Sequence, residues 1–233
     1  MVGRLATLAA LIGLAGCAAI PNDTTVQAAD MHRVWAVFIV AGLAVYVLVG
    51  GLILWSALAY RRRDPSVVQA NAVHKNTPLE IGWTIAPIIV VAGLFLVTFP
   101  AEQHVENMVK RPGEVVQVVA FRWSWRFVYA NEHVVVQGTT GSPPELVLPE
   151  NRTTEIRLTS SDVIHSFWVP SFLFKRMAIP GIVNAFDFTP ERAGVFMGRC
   201  AELCGTYHAH MSFTVRVLPA DQFARWVRAR SAA

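Results

Sequence analysis

"CAELCGTYHAHM", residues Cys200–Met211, lies between two β-rich runs, "GVFMGR" and "SFTVRV", and sets two cysteines, two histidines and a methionine in one loop. Its reading decides whether the surrounding domain is a plain sandwich closed by a small disulfide or a scaffold for a metal. Cys200, Cys204, His208 and Met211 are separated by four, four and three residues. Thiolate, imidazole and thioether form a soft donor set suited to copper, and such a set on a β-sandwich is how blue copper sites are built. An exported domain with two cysteines can instead form a disulfide, which leaves the neighbouring histidine and methionine without a role. One cysteine suffices for one copper; two allow a pair of thiolate bridges between two coppers, each then needing a terminal imidazole. That predicts a second histidine from elsewhere in the chain. His165, in "DVIHSFWVPS", is the candidate, although a lone histidine in an apolar run also reads as a satisfied core residue. His208 and His210 compete for the loop position, and spacing does not choose between them. Structural zinc accepts cysteine and histidine but leaves Met211 unexplained.

Working outward, the domain that carries this loop is rich in short strands. "VVQVVAF", "HVVVQG", "ELVLP", "TTEIRLT", "VIHSFWVP", "IVNAFDFTP", "GVFMGRC" and "MSFTVRVLP" alternate with turn residues, the pattern of an antiparallel sandwich or barrel. A helical pattern returns after Pro219 in "DQFARWVRAR", whose Phe223, Trp226 and Val227 share a face that caps the sandwich.

The first hundred residues are different in kind. The chain has 233 residues, 54% hydrophobic, with mean hydropathy +0.42, too apolar for an ordinary soluble protein. Val34–Tyr60 and Ile81–Pro100 are uncharged and long enough to span a hydrocarbon core, with a kink expected at Pro87. They predict a transmembrane hairpin over 34–100. The connecting loop, about 61–80, carries Arg61, Arg62, Arg63 and Lys75 and is cytoplasmic by the positive-inside rule. Residues 101–233 then form an extracytoplasmic domain, large enough to bury its own core. Residues 1–16 have the Arg4 and short apolar run of a secretory signal peptide. "LAGC" resembles a lipobox, with Cys17 as the lipidated new N-terminus; an ordinary signal peptide with a chance cysteine is the plain alternative. Residues 17–33 read as a flexible extracytoplasmic tether. The charges of residues 101–233 are mixed in sign rather than gathered into a basic run with nucleic-acid motifs, so nothing there recommends nucleic-acid binding.

The motif C-x-E-x-C-x-x-x-H-x-x-M in Cys200–Met211 resembles the CuA loop in subunit II of cytochrome c oxidase. "VIHSFWVPSFLFK" with "AIPG" resembles that family's upstream histidine segment, "NTPLEIGWTIAP" its approach to the second membrane helix, and "FRWSWRFVY" its aromatic stretch. The resemblance implies two transmembrane helices followed by an all-β cupredoxin-like sandwich with a short C-terminal helix. It makes Cys200 and Cys204 bridging thiolates of a binuclear copper, His165 and His208 terminal imidazoles, and Met211 and the Glu202 carbonyl weak axial ligands. The Glu202 side chain would reach a magnesium shared with subunit I. Trp123 matches the residue that passes electrons from cytochrome c toward the copper pair; Trp125, expected on the same face of a strand, could share that role or be core. Glu80 matches a glutamate at the mouth of a proton pathway into subunit I, while Thr77, Pro78 and Glu80 also read as a capping box.

The family usually has an aspartate where this chain has Met177, and an acidic docking face where "RFVYANEHVV" is not acidic. The implied partners are subunit I with the other oxidase subunits and a cytochrome c, weakly basic or membrane-tethered, in a bacterial plasma membrane. The resemblance therefore implies an electron-accepting oxidase subunit, with oxygen reduction and proton pumping in subunit I. Another haem–copper enzyme, such as a nitric oxide reductase, could use the same domain. A copper-delivery or thiol-redox lipoprotein would need neither Met211 nor His165, and a quinol oxidase subunit lacks the copper ligands.

Overall fold

The structure is a computed structural model and describes residues 24–61 and 75–231. Two long helices, α1 (Val26–Ala59) and α2 (Thr77–Glu106), precede ten strands and a final helix, α3 (Ala220–Ser231). Both long helices are apolar enough to cross a membrane, with mean hydropathies of 2.7 and 2.2 over their best windows. Their leucine, isoleucine and valine side chains are exposed on all faces, as a helix requires when lipid or partner helices are its surroundings.

α1 starts at Val26 rather than Val34, so the second half of the expected tether is helical. "VQAADMHR" holds no glycine or proline to stop the helix, and Thr25 caps it by accepting the Ala28 N–H at 3.0 Å. α2 runs through both Pro87 and Pro100 to Glu106. Its N-cap is Asn76 and not Thr77: the Asn76 side chain accepts from Leu79 N–H at 3.3 Å, and Glu80 reaches back to Asn76 N–H at 3.1 Å. Asparagine is the stronger cap, so the reciprocal pair forms one residue earlier.

The strands are β1 (Glu114–Phe121), β2 (Ser124–Tyr129), β3 (Val134–Gln137), β4 (Glu145–Pro149), β5 (Thr154–Ser160), β6 (His165–Val169), β7 (Phe174–Ala178), β8 (Asn184–Phe188), β9 (Gly194–Cys200) and β10 (Ser212–Leu218). They form two sheets ordered β3-β2-β1-β5-β8 and β4-β10-β9-β6-β7. The expected antiparallel arrangement is corrected in two places: β1 pairs parallel with β5, and β4 with β10. Strand crossovers, rather than hairpins alone, bring these partners together.

Alternating inward residues fill the space between the sheets, among them Val116, Val118, Ile156, Leu158, Phe167, Phe186 and Phe213. Tyr129 crosses that space. Its hydroxyl accepts from Val147 N–H at 2.7 Å and donates to Val147 C=O at 2.9 Å, tying β2 of one sheet to β4 of the other. α3 buries Phe223 and packs Trp226 and Val227 on the core, as its sequence pattern predicts.

Candidate metal centre

Three elements place the cluster. β6 begins at His165, β9 ends at Cys200, and the loop from β9 returns to β10 through a short 3-10 turn, His208–His210. The loop is pinned at its neck, where Cys200 N–H donates to Met211 C=O at 2.8 Å, and to β6, where Ala201 N–H donates to Ser166 C=O at 3.0 Å. Gly198 lets β9 press against the Phe213 ring, where an added Cβ would come within 2.2 Å. Under the loop, Trp125, Phe167 and Phe213 form a fully buried aromatic floor, with Phe167 stacked on Phe213 at 4.8 Å.

The donor atoms converge. Cys200 Sγ and Cys204 Sγ lie 3.8 Å apart, almost twice the roughly 2.05 Å of a disulfide. His165 Nδ1 faces Cys200 Sγ at 3.9 Å, and His208 Nδ1 faces Cys204 Sγ at 3.6 Å. Met211 Sδ is 3.7 Å from Cys204 Sγ, and the Glu202 carbonyl oxygen is 3.2 Å from Cys200 Sγ. Cys200, Cys204, Met211 and His165 are buried, whereas His208 is half-buried. Two sulfurs thus form the centre, with one imidazole outside each.

The electrostatics favour a cation there. Burial raises both thiol pKa values, but His165 and nearby backbone groups more than reverse this at Cys200 and pull it below the ordinary thiol range. At Cys204, burial and the Cys200 charge act together and push it up. Two adjacent thiolates therefore coexist at neutral pH only with a positive charge between them. A soft donor set that is dry, converging and short of positive charge fits copper.

Asp162 completes the arrangement and was not singled out from sequence, although it stands three residues before His165. Its Oδ1 lies 2.9 Å from His165 Nε2, and its carboxylate also accepts Arg122 N–H at 2.7 Å and Val163 N–H at 2.6 Å. Partial burial raises its pKa, but the His165 contact and these backbone donors outweigh that and bring it to about 2. A carboxylate holding the Nε2 proton leaves the Nδ1 lone pair turned to the sulfurs.

Trp123 lies in the turn between β1 and β2, half-buried, with Nε1–H donating to Cys204 C=O at 3.2 Å and its ring edge-to-face with Tyr207 at 5.0 Å. Gly205, at φ +121°, keeps the loop clear of that ring, since a Cβ would stand 3.2 Å from Nε1. Trp125 does not share this position. It is fully buried in β2, because a turn and not a continuous strand separates the two tryptophans. His210 is exposed beside Tyr207, on the outside of the loop, and the Glu202 side chain is also exposed. Met177 is exposed on β7. Glu80 sits at the α2 cap described above, and Cys17 lies outside the described residues.

Comparison with known proteins gives concordant results. Residues 16–101 match the family profile of the cytochrome c oxidase subunit II transmembrane domain, and residues 139–218 that of its periplasmic domain. A protein of Streptomyces avermitilis named a probable cytochrome c oxidase subunit 2 is 34% identical over 89% of this chain and 77% of its own length. The cytochrome c oxidase subunit 2 of Mycobacterium bovis is 30% identical over 90% of this chain and 74% of its own. The crystal structure of the periplasmic domain of cytochrome oxidase subunit II from Bradyrhizobium japonicum superposes with a TM-score of 0.50 at 30% identity, over 54% of this chain and 98% of that one. With two spanning-type helices, a cupredoxin-like sandwich and matches to both family domains, this chain belongs to the cytochrome c oxidase subunit II family, membrane subunits of a haem–copper oxidoreductase.

Proposed function

We propose that this chain is the electron-accepting subunit of the oxidase, receiving electrons from a reduced cytochrome c and passing them toward the haems of subunit I, where oxygen is reduced and protons are pumped. The observation that carries this reading is the pair of free thiols 3.8 Å apart with an imidazole outside each. Cys200, Cys204, His165 and His208 through their Sγ and Nδ1 atoms, with Met211 and the Glu202 carbonyl beside them, would hold a pair of coppers. Such a copper pair, when bound, supplies one-electron transfer with the charge spread over two metals.

The chain's own residues do the rest. Asp162 holds the His165 ring and its proton, so the imidazole is fixed before metal arrives. The aromatic floor of Trp125, Phe167 and Phe213 excludes water, and the pinned loop resists rearrangement, which keeps the barrier to electron transfer low. Trp123, bonded to the backbone of Cys204 and half-open to solvent, is the residue through which the donor's electron arrives. The exposed Glu202 side chain would join a magnesium shared with subunit I, and Glu80 would stand at the mouth of a proton pathway there.

The topology that suits this function has residues 1–16 as a signal peptide, Cys17 lipidated, the loop at about 61–80 in the cytoplasm and residues 101–233 outside a bacterial plasma membrane. The test is an oxidase complex carrying Cys200→Ser. It should lose oxidation of ferrocytochrome c while still consuming oxygen from a small reductant that reaches the haems directly. Unchanged ferrocytochrome c oxidation would contradict the reading.

A further inference from the structure

Metal has to reach a centre whose donors are almost all covered. Cys200, Cys204, His165 and Met211 are between 0% and 6% exposed, and only His208 is half-buried. A cavity of about 660 Å³ abuts both His208 and Cys200, and its wall includes Met197, Arg199 and Trp168. Two other large hollows, along α2 at Pro87 and Phe95 and on the first sheet at Gln117 and Arg157, touch none of the candidate ligands. Met197 is 51% exposed on β9, so its thioether is not consumed by core packing. A thioether is a soft donor for Cu(I), and its flexible, unbranched stem can swing between positions.

We propose that this cavity is the route by which Cu(I) loads the centre, with the Met197 sulfur as its first ligand and His208 as the next. The proposal rests on the copper reading above. The Arg199 guanidinium, stacked over Trp168 at 5.7 Å, makes the wall positive. The route therefore suits Cu(I) carried in an anionic complex better than a bare cation. Copper stays Cu(I) and only exchanges ligands, so no electron or oxidant is involved.

The experiment uses the full reduced chain in detergent, without oxygen, and follows the loss of colour as Cu(I) leaves an anionic chelator, bathocuproine disulfonate. The wild type should take up two coppers. Met197→Leu should reach the same final content about tenfold more slowly, while Met177→Leu, an exposed methionine on β7 outside the cavity wall, should load at the wild-type rate. Equal rates for wild type and Met197→Leu would overturn the route, as would equal slowing in Met177→Leu. A Met197→Leu chain that never reaches two coppers would also overturn it, because Met197 would then belong to the centre or its folding. A wild type that takes up no copper at all would remove the copper reading itself.

Discussion

At the residue scale, Asp162 and His165 act as one unit. With Nε2 2.9 Å from the Asp162 carboxylate, which favours the tautomer protonated there, the ring offers its Nδ1 lone pair toward Cys200. Asp162→Asn keeps the shape but removes the charge, and copper affinity should fall about 10- to 100-fold, measured by competition with a chelator. His208 and His210 should separate cleanly: His208→Asn should lose one of the two coppers, while His210→Asn, whose ring lies outside the loop, should keep both. Cys200, Cys204 and Met211 stand out in the sequence because soft donors at short spacing have few other reasons to cluster, whereas His165 follows only from the need for a second imidazole. Asp162 does not stand out, since an aspartate near a histidine on a strand end is common and only the fold shows which atom it holds. Spacing alone also could not choose between His208 and His210. In the 3-10 turn His208 Nδ1 faces Cys204 Sγ at 3.6 Å, while the His210 ring lies beside Tyr207.

At the scale of elements, the sandwich depends on a few contacts between its sheets. Tyr129→Phe removes the hydroxyl that satisfies both Val147 N–H and C=O, and should cost about 1–3 kcal/mol in chemical denaturation. Gly198→Ala should cost a similar 1–3 kcal/mol or so and disturb the copper spectrum, because its Cβ meets Phe213 and displaces β9 just before Cys200. Eight of the ten strands could be read from apolar alternation and turn residues; β2 and β7 could not. The turn before β2, at Arg122 and Trp123, has no glycine, proline or asparagine. The one before β7 passes through Leu173 at φ +50°, a conformation that leucine seldom signals. The parallel pairings were equally hidden, because alternation tells which face of a strand is buried and not which strand lies beside it.

At the scale of the whole molecule, residues at the start of α1 and just after α2 are stitched into the sandwich domain. Asp187, buried in β8, accepts from Gln27 Nε2 at 3.2 Å and from Val109 N–H at 2.7 Å, while Thr24 and Val26 bond to the backbone around Ser171 and Thr189. A fragment from residue 105 onward keeps Val109 but lacks Thr24, Val26 and Gln27. It should unfold about 1–3 kcal/mol more easily than the same domain within the full chain.

pH should act through Glu114, which is fully buried, has Oε2 unbonded among the described residues and stands near Glu132 and Arg152. Burial first, then Glu132, raises its pKa to about 7, against the stabilising Val115 N–H and Arg152. Its contribution to stability is therefore full below the unfolded value near 4.5 and is lost as pH rises through about 7. Glu114→Gln should accordingly melt higher than wild type at pH 8 and no higher at pH 5. The helices and sandwich were legible from composition and periodicity, but this stitching was not. "TTVQAAD", residues 24–30, reads as a tether until Asp187, 160 residues beyond Gln27, is seen to bind it.

The most direct test of the copper centre is the metal content and electron paramagnetic resonance of the full chain in detergent, reconstituted with copper, beside Cys204→Ser. The account predicts two coppers per chain with one unpaired electron shared equally between them, and loss of that shared signal in the variant. A single mononuclear copper, or none tightly bound, would contradict it and return Cys200 and Cys204 to thiol chemistry.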